Sequence, residues 1–321
     1  MIKADKLSKH FGGIKAVDEI SFEVNEGETM VLLGTSGCGK TTTLKMINRL
    51  IEPTSGTVFI NGKNILNQPA EELRRSIGYV LQNNGLFPHY TVAENIAIVP
   101  QLLKWDKARI TQRTQELLEK LHLSQDQLHA YPGELSGGQQ QRIGLARALI
   151  ADPPVLLMDE PFGALDNVTR ASIHKEFNAL DELKKKTIIM VTHDVQEAFE
   201  LGDRICIMDK GRIIQSGSPA ELLFKPANSF IIDFLKEQRL QLEFKTIKLT
   251  DVWDQLPTIE RKSNTSQISA DEGLWTALES FRFASAENLN ILNQQSKEIK
   301  TVSFDQLMTA FYQYKQHKSH G

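Results

Sequence analysis

The feature that most constrains the fold is a glycine-rich stretch, Gly34-Thr35-Ser36-Gly37-Cys38-Gly39-Lys40-Thr41-Thr42. It fits the pattern G-x-x-x-x-G-K-[ST], follows the apolar run Met30–Leu33 and precedes a helix-forming run. The pattern therefore stands in the strand–loop–helix context in which such a loop cradles phosphate. Glycines let successive backbone N–H groups face the anion, and the following helix presents its positive end to it.

Three side chains of this loop have predicted roles. Lys40 is expected to reach the β- and γ-phosphates of a nucleotide, and Thr41 to supply a hydroxyl to Mg²⁺. Cys38 stands between two glycines, and its first interpretation is a small residue that fills the loop. The alternative is a thiol that the positive phosphate cradle partly activates.

Two consecutive acids, Asp159 and Glu160, follow the apolar run Val155–Met158. The carboxyl end of a parallel strand is where the sites of α/β proteins collect. Asp159 is predicted to hold Mg²⁺ through water, and Glu160 to polarise the attacking water, because hydrolysis needs an oriented nucleophile. A strand end capped by solvated acids is the alternative, and the phosphate loop in the same chain favours the catalytic interpretation.

Short apolar runs alternate with amphipathic stretches over residues 1–240, which predicts an α/β fold with a buried parallel sheet. The predicted strands are Ser21–Val24, Thr29–Leu33, Thr57–Ile60, Gly78–Leu81, Val155–Met158, Thr187–Val191 and Arg204–Met208. The predicted helices are Thr42–Leu50, Thr111–Leu121, Gly138–Ile150, Val168–Leu183 and Val195–Leu201. The mostly helical stretch at about residues 85–135 predicts an inserted helical subdomain.

Beyond about residue 240 the chain becomes richer in Asn, Gln, Ser and Lys, so a domain boundary is predicted there. Leu256 to Ser266 is expected to be a loop. Residues 241–321 predict a small α+β domain of the order β-α-β-β-α. Its elements are predicted at Ser266–Ser269, Leu274–Phe281, Leu289–Leu292, Ile299–Val302 and Phe304–Tyr314.

Composition excludes several classes of protein. A net charge of -3 gives no support to nucleic-acid binding. The two cysteines, Cys38 and Cys206, exclude a disulfide framework and favour a reducing compartment. No apolar run reaches the ~18 residues of a membrane span, and the charged start lacks the apolar core of a signal peptide. These observations argue against a secreted or membrane-spanning protein.

The stretch Leu135-Ser136-Gly137-Gly138-Gln139, with the loop at 34–42 and the acids at 159–160, resembles the ATP-binding cassette (ABC) ATPases over about residues 1–240. The resemblance implies a P-loop nucleotide-binding core with an antiparallel β subdomain and an inserted helical subdomain. It also implies ATP and Mg²⁺ as ligands. The serine and glycines precede a helix-like run and so form a second anion site at a helix start, which favours a head-to-tail dimer.

The resemblance carries further roles to single positions of this chain. Phe11 matches the aromatic that stacks on adenine, and Gln82 matches the glutamine that contacts Mg²⁺ and senses the transmembrane partner. Asp166 matches the aspartate that couples the two sites of the dimer, and His193 the histidine that contacts the γ-phosphate. The signature loop of the family grips the γ-phosphate bound by the opposing subunit. It is matched here by Ser136, Gly137, Gly138 and Gln139.

The spacing limits the kind of cassette, because about 95 residues between Lys40 and Ser136 leave no room for a long coiled coil. A single cassette without fused membrane helices predicts a free ATPase subunit of a membrane transporter, most often an importer. Four stretches resemble the ATPases of osmoprotectant importers, which carry glycine betaine, choline, carnitine or proline. They are Met46–Gly56, Gly85–His89, Gly163–Arg170 and Lys225–Asn228.

The expected partners are a second copy of the chain, integral membrane permease subunits and, indirectly, a substrate-binding protein. The expected location is the cytoplasmic face of the inner membrane, as a peripheral subunit. The alternatives are an importer ATPase for another solute such as an amino acid or polyamine, a soluble ABC ATPase outside transport, and a non-catalytic nucleotide switch. The last needs a missing Glu160 or His193, and both are present.

The C-terminal domain resembles one degenerate copy of the cystathionine-β-synthase-type (CBS) modules that related osmoprotectant ATPases often carry in tandem. The expected Thr/Ser-x-x-Asp pattern for ribose is absent, since Thr301-Val302-Ser303-Phe304-Asp305 has another spacing. A packing or dimerisation appendage without a ligand is the alternative.

Overall fold

The computed structural model describes residues 1–82, 85–163, 165–257, 267–284 and 287–320. The strands are β1 (Ile2–Phe11), β2 (Ile14–Val24), β3 (Thr29–Gly34), β4 (Ser55–Ile60), β5 (Lys63–Asn64), β6 (Ile77–Val80), β7 (Val155–Asp159), β8 (Thr187–Thr192), β9 (Arg204–Asp209), β10 (Arg212–Gly217), β11 (Gln267–Ser269), β12 (Asn288–Leu292) and β13 (Ile299–Ser303). Contacts divide the chain into two compact units, Met1–Ser216 and Gly217–Gly321.

The helices complete the two units. They are α1 (Lys40–Ile47), α2 (Ala70–Arg75), α3 (Val92–Leu102), α4 (Lys107–Lys120), α5 (Gly137–Leu149), α6 (Asn167–Ala179), α7 (Asp181–Lys184), α8 (Val195–Leu201), α9 (Pro219–Phe224), α10 (Ser229–Leu235), α11 (Arg239–Thr246), α12 (Leu274–Ala284) and α13 (Phe304–His320). Short 3₁₀ helices lie at Ile65–Asn67, Gln125–His129, Pro132–Glu134 and Trp253–Gln255.

A six-stranded sheet of order β10-β9-β3-β8-β7-β6 forms the centre of the first unit. Strands β6, β7, β8, β3 and β9 pair in parallel. Every residue of β7 and β8 is buried, as the continuous apolar runs predicted. The register pairs Leu33 with Thr192 and Asp159 with Val191, so the loops that follow β3, β7 and β8 leave from one edge of the sheet. That edge carries the candidate site.

A second, four-stranded sheet of order β2-β1-β4-β5 is antiparallel, which confirms the β subdomain that the resemblance implied. Its long hairpin pairs Ile2 with Val24 and closes near Phe11. Apolar residues of this sheet, such as Leu7, share one buried cluster with Leu44 of α1. The sequence prediction missed β1 because polar residues interrupt its apolar positions.

The helical subdomain predicted at about residues 85–135 contains α3, α4 and two 3₁₀ helices. Thr91 starts α3 with a capping box, in which Glu94 bonds back to the Thr91 backbone.

The predicted helix Val168–Leu183 is wrong as a single element, because it divides into α6 and α7. Leu180 between them is buried in an extended backbone conformation, which interrupts the helical hydrogen bonds.

The later part of the second unit, from β11 to α13, has the predicted order β-α-β-β-α, and the helices α9, α10 and α11 precede it. Strand β11 pairs with β12 in parallel, and β12 pairs with β13 antiparallel. Leu274 on α12 and Leu307 and Phe311 on α13 are buried, whereas Phe304 at the start of α13 is about half exposed. The predicted loop from Leu256 to Ser266 lies outside the described residues from position 258 onward. A relationship to CBS modules stays a prediction.

The division after Ser216 differs from the boundary predicted near residue 240. Helix α9 packs against α11 and α13, so residues after 216 take part in the second unit. Glu243 on α11 is almost fully buried and accepts hydrogen bonds from Arg239 (3.0 Å) and from Lys315 on α13 (2.7 Å). The change in composition near residue 240 therefore falls inside this packed unit, and the extent of the ATPase domain stays a prediction.

Candidate active site

The phosphate loop leaves β3 at Gly34 and enters α1 at Lys40, as the motif predicted. Positions 34 and 39 of this loop require glycine, because the backbone of a neighbouring strand lies close to each of them. A Cβ at Gly34 would lie 2.2 Å from the carbonyl oxygen of Met208, and one at Gly39 would lie 2.4 Å from that of Ala16. Gly39 also has a φ of 106°, in the left-handed region. The close approach of β9 and β2 therefore leaves no room for a side chain at either of these two positions of the loop.

Lys40 lies inside this loop, with only 5% of the residue exposed. Its Nζ donates hydrogen bonds to the carbonyl oxygens of Gly34 (2.8 Å) and Thr35 (2.9 Å). Thr35, Ser36 and Gly37 form the exposed tip around it. A buried ammonium group surrounded by backbone is an anion site, because the positive charge and the start of α1 act in the same direction.

Thr41, on the first turn of α1, donates a hydrogen bond from Oγ1 to Oδ1 of Asp159 at the end of β7 (2.8 Å). Only 3% of Asp159 is exposed. Burial raises the pKa of this carboxyl, and the bond from Thr41 opposes the rise. A hydroxyl and a carboxylate oxygen at one point fit Mg²⁺, which takes few protein oxygens and keeps several waters.

Glu160 brings together two residues from distant parts of the chain. Its Oε2 accepts a hydrogen bond from Nε2 of Gln82 (3.0 Å), and its Oε1 lies 3.2 Å from Nδ1 of His193. The Glu160 N–H donates to the carbonyl oxygen of Val191 on the neighbouring strand (2.9 Å). The His193 side chain is 60% exposed. The carboxylate is therefore fixed in direction on a side of the sheet that water reaches.

The loop with Asp166 and the loop with His193 are also joined, by a contact that the sequence prediction missed. Asp166 is exposed directly before α6. Arg170 on α6 donates to Asp194 Oδ2 (3.0 Å) and to the Leu165 carbonyl oxygen (3.0 Å). Asp194 follows His193 and caps α8 with its other oxygen. The spacing of Arg170 and Asp194 in the sequence did not indicate this ion pair, because it depends on the packing of α6 against α8.

Two predicted contact points lie on the surface. Ser136 caps α5 in a capping box, since its Oγ accepts from the Gln139 N–H (3.3 Å) and its own N–H donates to Gln139 Oε1 (2.9 Å). Gly137 and Gly138 follow on the first turn, so the helix start predicted there is confirmed. Phe11 ends β1 with 49% of the residue exposed, and Lys9 Nζ lies 5.2 Å from its ring centroid.

The activated thiol that was one interpretation of Cys38 is contradicted by its surroundings. Cys38 is buried, and its Sγ lies 3.7 Å from Lys40 Nζ. Burial raises the pKa of the thiol more strongly than the Lys40 charge lowers it. Cys38 is thus a small residue that fills the loop, and its thiol is the protonated form at neutral pH.

A protein-family model described as ABC transporter matches residues 17–163 of this chain. The osmoprotectant import ATP-binding protein OsmV of Salmonella typhimurium is 53% identical over 271 residues, which span 83% of this chain and 71% of that protein. This chain belongs to the ABC transporter family. The glycine betaine/carnitine/choline transport ATP-binding protein OpuCA of Bacillus subtilis is 47% identical to this ABC protein over 299 residues, 92% of this chain and 76% of OpuCA.

Solved structures extend the likeness to the cassette fold. The structure of the ATP-binding cassette MJ0796, a dimer in a post-hydrolysis state with ADP and Pi, is 34% identical. It superposes with a TM-score of 0.61 and covers 68% of this chain and 98% of that one. The ABC protein described here therefore has the ATPase cassette, binds ATP and hydrolyses it. Within the described residues, no helix is both long and apolar enough to cross a membrane.

Proposed function

We propose that this ABC protein is the ATP-hydrolysing subunit of an importer for an osmoprotectant such as glycine betaine, choline, carnitine or proline. The observation that carries the ATPase role is the contact of Gln82 and His193 with Glu160, next to the pair Thr41–Asp159. The substrate class is supported by what OsmV and OpuCA are named for, and OpuCA aligns with 92% of this chain. An importer ATPase for another solute remains the second candidate.

The proposed mechanism begins with the phosphate chain of ATP on the loop from Gly34 to Thr42. Lys40 exchanges its two carbonyl partners for phosphate oxygens, and Thr41 and Asp159 lie where Mg²⁺ would neutralise phosphate charge. Glu160 orients the attacking water and accepts its proton. Gln82 and His193 keep the carboxylate in place, and the exposed His193 ring is available to a γ-phosphate oxygen. We propose Gln82 as a further ligand on the Mg²⁺ side.

We propose that two copies act together as a head-to-tail homodimer. In that arrangement Ser136, Gly137, Gly138 and Gln139 of one subunit face the γ-phosphate held by the other. Phe11 stacks on the adenine of its own nucleotide, because its exposed ring offers a π-face. Asp166 couples the two sites, and the Arg170–Asp194 contact carries that coupling toward His193. The dimer of MJ0796 supports this assembly.

We propose as the docking surface for the permease a groove of about 370 Å³ that is lined by Leu81, the residue before Gln82 in the chain. Leu50, Leu81 and Phe87 line it with partly exposed apolar side chains. Arg74 and Arg75 lie at the same groove. Apolar walls and basic residues fit a short amphipathic permease helix with an acidic residue near its end. Docking there would join permease movement to Gln82 and so to Glu160.

The cellular assignment follows from the same proposal. The chain would act as a peripheral subunit at the cytoplasmic face of the inner membrane, bound through the permease and served indirectly by a substrate-binding protein. Nucleic acid is not among the proposed partners. We propose that the second unit is an accessory domain, either CBS-like or a packing appendage, outside the ATPase chemistry.

Solute uptake tests the function, and it is measured in cells from which the native gene for this ATPase has been deleted. Cells that carry the wild-type gene should accumulate radiolabelled glycine betaine, choline or carnitine, and cells with Glu160→Gln should not. Phe87→Glu should abolish co-purification with the permease while the chain keeps its melting temperature. Uptake of an amino acid or polyamine, and of no osmoprotectant, would establish the second candidate instead.

A further inference from the structure

The contact between α6 and α8 is lined by polar groups at a helical spacing. Arg170, His174 and Asn178 follow one another at every fourth position of α6, so they lie on one face. Arg170 binds Asp194, His174 lies between the two acids Glu197 and Glu200, and Asn178 Nδ2 donates to the Glu200 carbonyl oxygen (3.4 Å). The helix after Asp166 is thus joined along its length to the helix after His193.

His174 is the buried member of this set. Nδ1 lies 3.0 Å from Glu200 Oε2, within hydrogen-bond distance. Nε2 lies 3.5 Å from Glu197 Oε1, which is an ion-pair distance without hydrogen-bond geometry. Its ring also packs edge-on against Phe162, with the centroids 4.8 Å apart. Phe162 stands two residues after Glu160, so one side chain touches the segments that follow Glu160, Asp166 and His193.

We propose that His174 is a positioning residue for ATP turnover, which fixes the helix after Asp166 against the helix after His193. The proposal rests on the ATPase roles assigned above to Glu160 and His193. His174 touches neither residue directly. It acts through Phe162 on one side and through the start of α8 on the other.

The charges around the ring decide its protonation. Glu197 and Glu200 face it from α8, and Phe162 covers it from the β7 side. On α6 itself, Arg170 is paired with Asp194, and Glu176 with Arg142 (2.8 Å). Burial lowers the His174 pKa, and the attraction of Glu197 and Glu200 outweighs it and raises the pKa to about 9.

The sign of the pH effect follows. The folded-state pKa lies above the ordinary 6.5, so the contribution to stability is complete below about pH 6.5 and is lost as pH rises through about 9. Deprotonation leaves the nearly fully buried carboxylate of Glu197 beside Glu200 without the cation. The contact between α6 and α8 then weakens, and the end of α8 next to His193 is no longer held at a fixed distance from Glu160.

The test compares full-length wild type, His174→Gln, His174→Arg and the exposed control His129→Gln at saturating Mg-ATP from about pH 7 to pH 10. We expect His174→Gln to lower kcat about tenfold near neutral pH with little change in KM, since misplaced catalytic groups cost rate. Arginine keeps a permanent charge, so His174→Arg should restore kcat and should lack the decline of the wild type near pH 9. The imidazole should titrate near pH 9 by NMR.

Two outcomes would overturn the proposal. One is a His174→Gln kcat within about twofold of wild type over the whole pH range, even with a lower melting temperature. The other is an identical alkaline decline in His174→Arg and wild type, which also decides the matter if His174→Gln does not fold. Glu160→Gln measured in parallel distinguishes failure of the His174 proposal from failure of the proposed ATPase site. If Glu160→Gln keeps its turnover, the assignment of the ATPase site itself is wrong.

Discussion

Thr41 and Asp159 are 118 positions apart in the chain and joined by a hydrogen bond of 2.8 Å from Oγ1 to Oδ1. We expect Thr41→Val to weaken the Mg²⁺-dependent part of ATP affinity about tenfold, because the change removes a hydroxyl that also orients the carboxylate. Calorimetric titration of ATP with Mg²⁺ and with EDTA measures that part.

Thr43→Val is the matched control for this substitution. Thr43 is fully buried two residues further along α1, and its hydroxyl donates to the Gly39 carbonyl oxygen instead (2.9 Å). It should lower the melting temperature while the Mg²⁺-dependent part stays as in wild type. An equal loss of that part in both variants would contradict the special role of Thr41.

Glu160→Gln should bind ATP and lose about 10²–10⁴ in turnover, because the amide cannot accept the proton of the attacking water. The amide keeps the size of the side chain, and the backbone contact with Val191 stays. The variant should also trap the dimer when ATP is added, which size-exclusion chromatography detects. Glu71→Gln on the exposed face of α2 is the control, and near-normal turnover of Glu160→Gln refutes the assignment.

Lys40→Ala should lose ATP binding and not merely hydrolysis. The Nζ of Lys40 already bonds two loop carbonyls, so its removal takes away both the charge and a contact that shapes the loop. Lys40→Arg keeps the charge but is too wide for this buried position, so it separates charge from fit. Unchanged ATP affinity of Lys40→Ala by calorimetry would contradict the site.

Cys38 should react slowly with alkylating reagents in the native protein. Its burial and its raised pKa both lower the reactive thiolate, so we expect a rate at least about tenfold below that of the denatured chain. ATP should slow it further, and a labelled Cys38 should not bind ATP, because the reagent fills the loop. Mass spectrometry of the Cys38 and Cys206 peptides gives both rates, and labelling as fast as in urea is the contrary result.

Truncation tests the packing of the second unit. Leu222, Leu223 and Phe224 of α9 are buried, and α9 packs on α11 and α13. A chain that ends after Arg239 keeps α9 without those two helices, so we expect it to aggregate. A chain that ends after Ser216 lacks α9 altogether and should stay soluble. Light scattering of the two proteins decides, and a soluble chain ending at Arg239 would restore the boundary near residue 240.

Three local patterns of the candidate site lie on the secondary-structure elements that the sequence predicted for them. The phosphate loop, Ser136 at a helix start and the acids after an apolar strand are local patterns, and each stands where it was expected. Strand β1 escaped prediction because its pairing with β2 depends on residues that the pattern of apolar positions does not mark. The break at Leu180 likewise depends on tertiary burial and not on helix propensity.

The contacts among distant residues needed the strand order. Gln82, Glu160 and His193 follow β6, β7 and β8, which are consecutive neighbours in the sheet although other elements separate them in the chain. The resemblance pointed to Gln82 and His193, and the acidic pair after an apolar run pointed to Glu160, but the hydrogen bond from Gln82 to Glu160 is visible only in three dimensions. His174 gave no signal at all, because its partners lie on another helix.

Glu160 has a φ of 45°, in the left-handed region that favours glycine. A residue with a side chain is strained there by about 1 kcal/mol or more, so a glycine at this position would relax the backbone. Selection for thermal stability alone would then tend to remove the carboxylate on which ATP turnover depends. Libraries of variants ranked by heat resistance should therefore contain Glu160→Gly chains that are more thermostable than wild type but do not turn over ATP. At this position the backbone angle sets thermal stability against catalysis.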